Sequence, residues 1–445
     1  MAGTNGMKGM NGAAGTDGPD GTDSLDGTDS GAVVGLSSTA ARAIEDLLAE
    51  PDASAARLYL GDGGTRQPVH TVYVPGDRYT PDLPTHWGRQ AQEALDAVGG
   101  IDVLLDAHAL VCDPGERALI AGLVLAKLEA EPIEDLRIDF EDGYRGDDED
   151  ADVRAAARAV AEAGAAGRLP PFVGIRFKCF EAGTRARGLR TLALFVGELL
   201  ASGELPDGLV LTLPKVTTVA QVRAMVLACA DLEARLGLVT GGLRFEIQVE
   251  TPQAILGADG TALIAPMLHA GQGRVSGLHY GTYDYSASLG IAAADQSLEH
   301  PAADHAKAVM QLAAAGTGVH LSDGSTNVLP VGEPDGVRAA WALHGRLVTR
   351  SLHRGFYQGW DLHPAQLPSR FAATYAYFRA SAPDAVTRLG AYLDRLAGAV
   401  LDEPATAKAL AGFVLRGLDC GALSAADLAG LERAQLESLA RPART

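Results

Sequence analysis

Two adjacent carboxylates, Glu141 and Asp142, follow an apolar run in the stretch LRIDFEDGYRGDDED, residues 136–150. The front of this stretch predicts a buried strand. Carboxylates side by side at its end repel each other unless a cation, an arginine or a proton lies between them. Arg176, at the end of the next predicted strand, is the candidate partner. The later run Asp147–Asp150 is more simply the solvated first turn of a helix, which the helix dipole favours.

Other residues that could take part in chemistry lie near predicted strand ends. A Schiff-base aldolase needs a lysine with a lowered pKa, but for Lys178 and Lys215 a contact with phosphate or carboxylate, or an ion pair with Glu141, is the favoured interpretation. His363, in DLHPAQ, is either a base or substrate donor or the source of a rigidifying hydrogen bond. Glycine-rich stretches such as GDGGTR and HAGQGR lack the P-loop and dinucleotide fingerprints. No set of Ser, His and Asp stands out.

Composition limits the classes of partner. The 445-residue chain has a net charge of −19, with 47% hydrophobic and 21% charged residues, as in soluble globular proteins. This charge argues against nucleic acid and anionic lipid as partners. No apolar run approaches the roughly 18–20 residues of a membrane span, and the N-terminus lacks the apolar core of a signal peptide. Four scattered cysteines without metal-ligand spacing indicate reduced thiols in a cytoplasmic protein.

The first 35 residues are of low complexity. Gly-Thr-Asp repeats begin at Gly15, Gly21 and Gly27. A calcium loop is one interpretation, but the closing Glu and the flanking helices of an EF-hand are missing. We therefore predict a disordered acidic tail over residues 1–35. Order is predicted to begin near Leu36, where SSTAARAIEDLLAE offers a serine cap and helical apolar spacing.

Short β-rich runs alternate with Ala/Leu-rich helical segments after residue 65. Eight such runs are present, at residues 70–75, 136–142, 172–178, 208–215, 243–250, 275–285, 318–323 and 359–366. Strands joined by helical crossovers predict a parallel α/β fold. The number eight favours a closed (β/α)₈ TIM barrel, which we place over residues 36–370.

Polar and apolar residues alternate within these strands. In RFEIQVE one face is apolar, and the other carries Glu246, Gln248 and Glu250. A sheet covered by helices on both faces would be apolar throughout, whereas a barrel can be polar inside. Several charged residues fall at strand C-terminal ends, where barrel enzymes have their active sites. Barrel-lining ion pairs without chemistry are the alternative for any one of them.

Seven motifs in order resemble the citrate lyase β-subunit-like and 2-hydroxy/2-oxo acid aldolase superfamily, which includes malyl-CoA and citramalyl-CoA lyases. They lie between about residues 70 and 370, and are HTVYVPGDRY, RIDFEDGY, GIRFK, LTLPKV, EIQVETPQAI, GTYDYSASLGI and WDLHPAQL. Each motif is a weak signal alone. Their shared order is specific for the superfamily, but it does not identify a substrate.

This resemblance implies a Mg²⁺-dependent carbon–carbon lyase or aldolase. It would cleave or condense a small 3-hydroxy acid or its acyl-CoA ester through a metal-stabilised enolate. Glu250 and Asp284 are the implied metal ligands, with Mn²⁺ as the alternative ion. The chemistry is consistent, because Mg²⁺ takes hard oxygen ligands, commonly one or two carboxylates, and keeps several waters. Arg176 would clamp a substrate carboxylate or a developing oxyanion.

The remaining expected site residues are Glu141 and Asp142 as catalytic groups, and Lys215 and His363 as substrate contacts. The sequence also departs from the resembled family. No histidine follows the acidic residues of the second strand, which favours the lyase branch or a different base. The connection 76–135 is long, the segment between the two implied metal ligands looks expanded, and no coenzyme A signature is evident.

The resemblance and the last part of the chain leave wider alternatives open. Residues 371–445 are expected to form a helical extension, either a lid or a packing element. The resemblance implies a homo-oligomer, a trimer or a hexamer. Two other functions remain: phosphotransfer on phosphoenolpyruvate or pyruvate, and a non-catalytic barrel that binds metal or acid.

Overall fold

Eight parallel strands form a barrel in the computed structural model, which describes residues 36–395 and 403–441. The strands are β1 His70–Pro75, β2 Asp135–Asp139, β3 Phe172–Arg176, β4 Leu209–Leu213, β5 Phe245–Val249, β6 Val275–Tyr280, β7 His320–Ser322 and β8 Gly359–Asp361. They pair in the order β7-β6-β5-β4-β3-β2-β1-β8. A parallel bridge between Ser322 and Gln358 joins the two ends of the sheet. The predicted (β/α)₈ barrel is confirmed.

Helices connect the strands. Those within the described residues are α1 Ser38–Leu58, α2 Leu83–Asp96, α3 Ile101–Ala107, α4 Pro114–Ala130, α5 Glu149–Ala165, α6 Arg185–Ser202, α7 Val219–Leu236, α8 Pro252–Ile255, α9 Ile264–Ala270, α10 Thr282–Ser288, α11 Pro301–Ala314, α12 Pro334–His353, α13 Leu367–Arg395, α14 Pro404–Asp419 and α15 Arg433–Ala440. The long connection 76–135 contains α2, α3 and α4. The segment between the two predicted metal ligands supplies α8 and α9. None of the described helices is both long and apolar enough to cross a membrane.

The chain divides into two units, Met1–Ser54 and Ala55–Thr445. In the first unit Ser37 accepts a hydrogen bond from the Ala40 N–H (3.2 Å), so a serine cap begins α1 as the sequence indicates. The predicted disorder of residues 1–35 lies outside the described residues. The second unit contains all eight strands.

The barrel interior is polar. Arg137 lies there with almost no exposure and donates hydrogen bonds to Glu246 (2.8 and 3.1 Å) and Thr212 (3.1 Å), and it also contacts Asp135. His279 Nε2 lies 2.9 Å from Glu246. Burial alone would raise the pKa of Glu246, but Arg137 and His279 hold it well below its ordinary value. These residues pair with one another in the barrel centre, so for Glu246 the structural interpretation holds.

The C-terminal extension packs at the strand-start end of the barrel. The predicted boundary at residue 370 falls inside α13, which packs on α4 and α12. Gly412, Arg416 and Asp419 of α14 line one small cavity with Gln67 and His320, which lie at the starts of β1 and β7. The described part of the extension is therefore at the opposite end from the strand C-termini of its own barrel. A lid over a neighbouring subunit stays a prediction.

Candidate active site

The C-terminal ends of β2 to β6 bring most of the sequence-predicted residues to one rim of the barrel. Arg176 is the last residue of β3, and Glu141 and Lys215 follow β2 and β4 by two residues each. Glu250 comes directly after β5, and Asp284 follows β6 by four residues. Parallel strands deliver their carboxyl ends to the same face, so the barrel itself gathers these side chains.

Arg176 is fixed by Asp139, a residue that sequence reasoning placed in the strand but not in the site. Nε and Nη2 of Arg176 donate to the two Asp139 oxygens at 2.7 and 2.8 Å, a bidentate pair in which both side chains are buried. Asp139 also accepts the N–H groups of Glu141 (2.9 Å) and Gly143 (2.8 Å). These bonds turn the chain after Asp139, which explains why β2 ends three residues before the predicted strand end.

Asp139 and Arg176 each stabilise the charged form of the other. Burial alone would raise the pKa of Asp139 and lower that of Arg176, but each partner reverses the effect for the other. Tyr73, which sequence reasoning missed, lies with its ring centre 4.7 Å from the guanidinium carbon of Arg176. Alternation within HTVYVP puts Tyr73 on the inner face, which was the available sequence signal. With Nε and Nη2 engaged, Nη1 is the nitrogen of Arg176 that faces Glu141, 3.7 Å from its Oε2.

Lys215, and not Arg176, lies between the two adjacent carboxylates. Its ammonium is 2.7 Å from Glu141 Oε1 and 2.5 Å from Asp142 Oδ2. The expectation that Arg176 separates this pair is therefore corrected. The reason is that Asp139, two residues before Glu141, already holds the guanidinium. The ion pair between Lys215 and Glu141 that the sequence favours is present.

The two carboxylates have different environments. Burial raises the pKa of Glu141, and the neighbouring Asp142 carboxylate adds to this shift, although the charge of Arg176 opposes it. Asp142 is exposed. Partial desolvation would raise its pKa, but the neighbouring Glu141 and Lys215 lower it. Glu141 Oε2 is buried and has no hydrogen-bond partner within the described residues. A buried carboxylate oxygen that accepts no hydrogen bond, and has only the Arg176 charge 3.7 Å away, can accept a proton or a ligand group.

Lys215 has a backbone conformation that most side chains avoid. Its φ of 51° lies in the left-handed region, which costs a non-glycine residue on the order of 1 kcal/mol. In this conformation its N–H donates to Glu250 Oε1 at 2.8 Å. Lys215 therefore contacts the carboxylates after β2 with its side chain and the carboxylate after β5 with its backbone.

Glu250 is a buried carboxylate. Burial, reinforced by the charge of Asp284 and opposed by Arg176 and Lys215, raises its pKa to about 7. The neighbouring strand leaves room for it only because residue 281 is glycine: a Cβ there would lie 2.7 Å from Glu250 Oε2. A buried carboxylate with a raised pKa at a strand end is a mark of functional sites in general.

Asp284 lies in the first turn of α10, and not at the end of a strand as the sequence suggested. β6 ends at Tyr280 and Gly281 turns the chain into the helix, so the predicted strand is too long by five residues. The Asp284 side chain is 49% exposed, and its Oδ2 is 3.6 Å from Lys215 Nζ. Its field nevertheless reaches Glu250, whose pKa it raises.

The remaining predicted residues lie at the same end but have local partners. Lys178 donates to the main-chain oxygen of Glu141 at 2.6 Å. His363 Nδ1 accepts the N–H of Ala365 at 3.2 Å and so caps the short 3₁₀ helix after β8, the rigidifying role considered above. Burial lowers the pKa of His363. The structure does not join His363 to the carboxylate cluster by any contact among the described residues.

The donor set suits a hard divalent cation with few protein ligands. No group of three or more His, Cys, Asp or Glu side chains arranged for a metal occurs in residues 36–395 and 403–441. Glu250 and Asp284 are nevertheless close enough to interact electrostatically. Glu141 Oε2, which accepts no hydrogen bond among the described residues, lies at the same rim. Two carboxylates plus waters and substrate oxygens fit Mg²⁺, which rarely takes an all-protein cage.

Two cavities frame the barrel. One, of about 480 Å³, lies in the loops after β3 and β4 and is lined by Phe180, Arg185, Thr217 and Gln221 among others. It adjoins the rim in sequence, since these loops begin at Lys178 and Lys215.

A second cavity, of about 130 Å³, lies at the strand starts beside Asp135, Arg137 and Glu246. Because Arg137 forms ion pairs with both Asp135 and Glu246, we assign this second cavity to the structural interior.

Comparison with known proteins identifies a family. Residues 48–444 match the family described as "Domain of unknown function (DUF6986)". The chain belongs to this family. Comparison with curated proteins gives no match.

Solved structures with a similar fold include a citrate lyase from Burkholderia xenovorans LB400, 20% identical, with 71% of this chain and 92% of that chain covered and a TM-score of 0.52. Protein CitE from Mycobacterium tuberculosis, solved with magnesium, acetoacetate and coenzyme A, is 18% identical over 80% and 99% of the two chains, with a TM-score of 0.45. Malate synthase from Haloferax volcanii is 15% identical over 69% and 72%, with a TM-score of 0.46. At these identities the likeness shows the fold alone.

Proposed function

We propose that this protein is a Mg²⁺-dependent carbon–carbon lyase or aldolase acting on a small 3-hydroxy acid or its acyl-CoA ester. The observation that carries the proposal is that Lys215 contacts both Glu250, through its N–H at 2.8 Å, and Asp284, through its ammonium at 3.6 Å, at the C-terminal end of the barrel strands. The shared fold with a citrate lyase is consistent with it. The 480 Å³ cavity beside the rim offers space for a substrate larger than the reacting acid.

Glu250 and Asp284 would hold the metal, with waters and substrate oxygens completing its coordination. Bound there, Mg²⁺ supplies Lewis-acid polarisation of the carboxylate and 2-oxo oxygens of a 2-oxo acid. The role of Arg176 is positional and electrostatic. Because Asp139 fixes two of its nitrogens, Nη1 is held in place to donate to a substrate carboxylate or a developing oxyanion without reorganisation.

Glu141 is the proton acceptor in this proposal. Cleavage of a 3-hydroxy acid requires removal of the hydroxyl proton, and the chain has no histidine after the acidic residues of β2. Glu141 Oε2 is buried and accepts no hydrogen bond among the described residues. Its raised pKa brings it nearer to the operating pH that suits a general base. Asp142, with a lowered pKa, stays ionised and helps to hold Lys215.

The test is release of a 2-oxo acid from a panel of 3-hydroxy acids and their CoA esters, with Mg²⁺ and after chelation. Condensation of the corresponding acids or acyl-CoA esters is assayed in parallel. Turnover that needs the metal supports the proposal. ATP-dependent turnover of pyruvate would favour the phosphotransferase alternative. Metal or acid binding without any turnover would favour a non-catalytic barrel.

A covalent imine mechanism is expected to fail here. Burial alone would lower the pKa of Lys215, but hydrogen bonds to Asp142 and Glu141 raise it above its ordinary value, so the amine stays protonated and is a poor nucleophile. We predict that borohydride added with pyruvate or glyoxylate leaves no adduct detectable by mass spectrometry. A stable adduct on Lys178 or Lys215 would replace the metal mechanism by a Schiff base.

We also propose that the protein is a homo-oligomer, a trimer or a hexamer. The proposal rests on the resemblance seen in the sequence. It would allow the helical C-terminal extension to act as a lid on a neighbouring subunit, since the described part of it lies at the strand-start end of its own barrel. Light scattering at micromolar concentration is expected to give a multiple of the 46.0 kDa chain mass. A monomer under these conditions would exclude both the oligomer and a lid supplied by a neighbour.

A further inference from the structure

We propose that the ammonium group of Lys215 occupies the cation position among the rim carboxylates when no divalent metal is bound, and that metal binding displaces it. The inference rests on the proposed function, because it concerns the regulation of the same metal site. It assigns to Lys215 a role other than substrate binding. Lys215 would act as a tethered counter-ion that sets the affinity of the site for the metal.

The first argument is the set of contacts that the ammonium makes. Lys215 Nζ is 2.7 Å from Glu141, 2.5 Å from Asp142 and 3.6 Å from Asp284. Two of these carboxylates follow β2 and the third lies in α10, after β6. The strands β2 and β6 are not neighbours, yet one cation reaches all three carboxylates. A divalent ion held by Asp284 would therefore lie within a few ångströms of the ammonium unless the ammonium moves.

The second argument is the backbone of the same residue. The Lys215 N–H donates to Glu250 Oε1 at 2.8 Å. Lys215 therefore contacts both predicted metal ligands: its main chain contacts Glu250 and its side chain contacts Asp284. This arrangement requires a left-handed φ of 51° at Lys215, a backbone conformation that a lysine disfavours. Conformational cost of this kind persists where the surroundings over-determine the geometry, and such positions cluster at functional sites.

The third argument is that the ammonium can move toward solvent. The Lys215 side chain is 22% exposed and Asp142 is 56% exposed, so Nζ can leave Asp284 while keeping Asp142 or entering water. Release has a defined consequence for the site. The positive charge that opposes a metal at Glu250 and Asp284 moves outward. Glu141 Oε1 also loses its hydrogen bond from the ammonium, so neither oxygen of Glu141 then accepts a hydrogen bond among the described residues.

The experiment is a Mn²⁺ titration followed by electron paramagnetic resonance on the full chain, for wild type, Lys215→Met and Lys178→Met. Methionine has a similar length to lysine, suffers the same penalty at φ 51° and keeps the N–H to Glu250, so Lys215→Met removes mainly the charge. Lys178→Met is the matched control, because its ammonium donates to the Glu141 main chain and not to a carboxylate. We expect the Mn²⁺ dissociation constant to fall at least tenfold in Lys215→Met, and less than threefold in Lys178→Met.

An unchanged or raised dissociation constant in Lys215→Met, with wild type binding Mn²⁺ through Glu250, overturns this inference and leaves the proposed function intact. Wild type that binds no Mn²⁺, or binds it equally well after Glu250→Gln, overturns the proposed function and the inference together. A second measurement does not depend on a variant that folds. Saturating Mn²⁺ should increase the rate of amine acylation of wild-type Lys215, read by peptide mass spectrometry, by at least fivefold relative to Lys178. Equal rates with and without Mn²⁺ contradict displacement.

Discussion

Glu250→Gln is expected to abolish high-affinity Mg²⁺ binding and to lower turnover on the order of 10²-fold or more, by analogy with the loss of a preorganised oxyanion stabiliser. Glutamine keeps the shape of the side chain, and its amide oxygen can still accept the Lys215 N–H. What it removes is one of the two carboxylates that would carry the metal. Isothermal titration with Mg²⁺ and the 2-oxo acid release assay measure the two effects separately.

Folding should survive this substitution, because ionised Glu250 destabilises the metal-free protein. The pKa of Glu250 is raised from an ordinary 4.5 to about 7 in the folded chain. The folded state therefore holds a proton that the unfolded state has lost between these two values, and stability falls as pH rises through that window. The loss is on the order of 3 kcal/mol. Urea unfolding of chelated wild type should show this slope between pH 4.5 and 7, and the slope should be smaller in Glu250→Gln.

Glu246 offers a matched control on the same face of the same strand. It is also a buried glutamate, but it pairs with Arg137 and His279 in the barrel interior. Glu246→Gln should destabilise the protein, because it leaves the Arg137 charge under-compensated. Its effect on Mg²⁺ affinity should be small wherever the variant remains folded.

Asp284→Asn should resemble Glu250→Gln in metal binding, and the double variant should be little worse than either single one, since the two residues act as a unit. Full activity in chelated wild type, or in both single variants, would show that the carboxylates are structural and that the lyase proposal is wrong.

The barrel was predictable because its signal is repeated along the chain. Eight β-rich runs that alternate with helical segments leave few alternatives, and β1 begins and ends as predicted, at His70 and Pro75. The polar alternation in β2 and β5 also predicted the interior. Arg137 and Glu246 do face inward, and they find each other across the barrel.

The fine structure of the rim was not predictable in the same way, because it depends on contacts between distant residues. The sequence could not show that Asp139 would capture Arg176, since Glu141 and Asp142 were equally plausible partners by spacing. Nothing in LTLPKV indicates the positive φ of Lys215, the conformation in which its N–H contacts Glu250 and its ammonium contacts Glu141. Asp284 was misplaced because GTYDY is as compatible with a strand as with a helix, and the turn at Gly281 decides between them.

Replacing Arg176 by methionine is expected to have the largest effect on stability, and it separates the two roles that this residue has. Arg176 and Asp139 are both buried and share two hydrogen bonds of 2.7 and 2.8 Å. Removing the guanidinium leaves the Asp139 charge buried without its partner, which costs about 3–5 kcal/mol. Asp139 also holds the turn that positions Glu141 and Gly143. Arg176→Met should therefore lower the free energy of unfolding and disturb the loop that carries the proposed base.

Arg176→Lys distinguishes the proposed substrate contact from this structural role. Lysine retains the charge near Asp139 but lacks the planar fork, so it cannot bind Asp139 through two nitrogens and also present a third to a substrate. We expect a smaller loss of stability than in Arg176→Met, and a loss of turnover on the order of 10²-fold at temperatures where the variant is fully folded by circular dichroism. Mg²⁺ affinity measured by titration should stay within a few fold of wild type. If folded Arg176→Lys turns over substrate at the wild-type rate, Arg176 only supports Asp139, and the oxyanion or carboxylate contact must come from another residue of the rim.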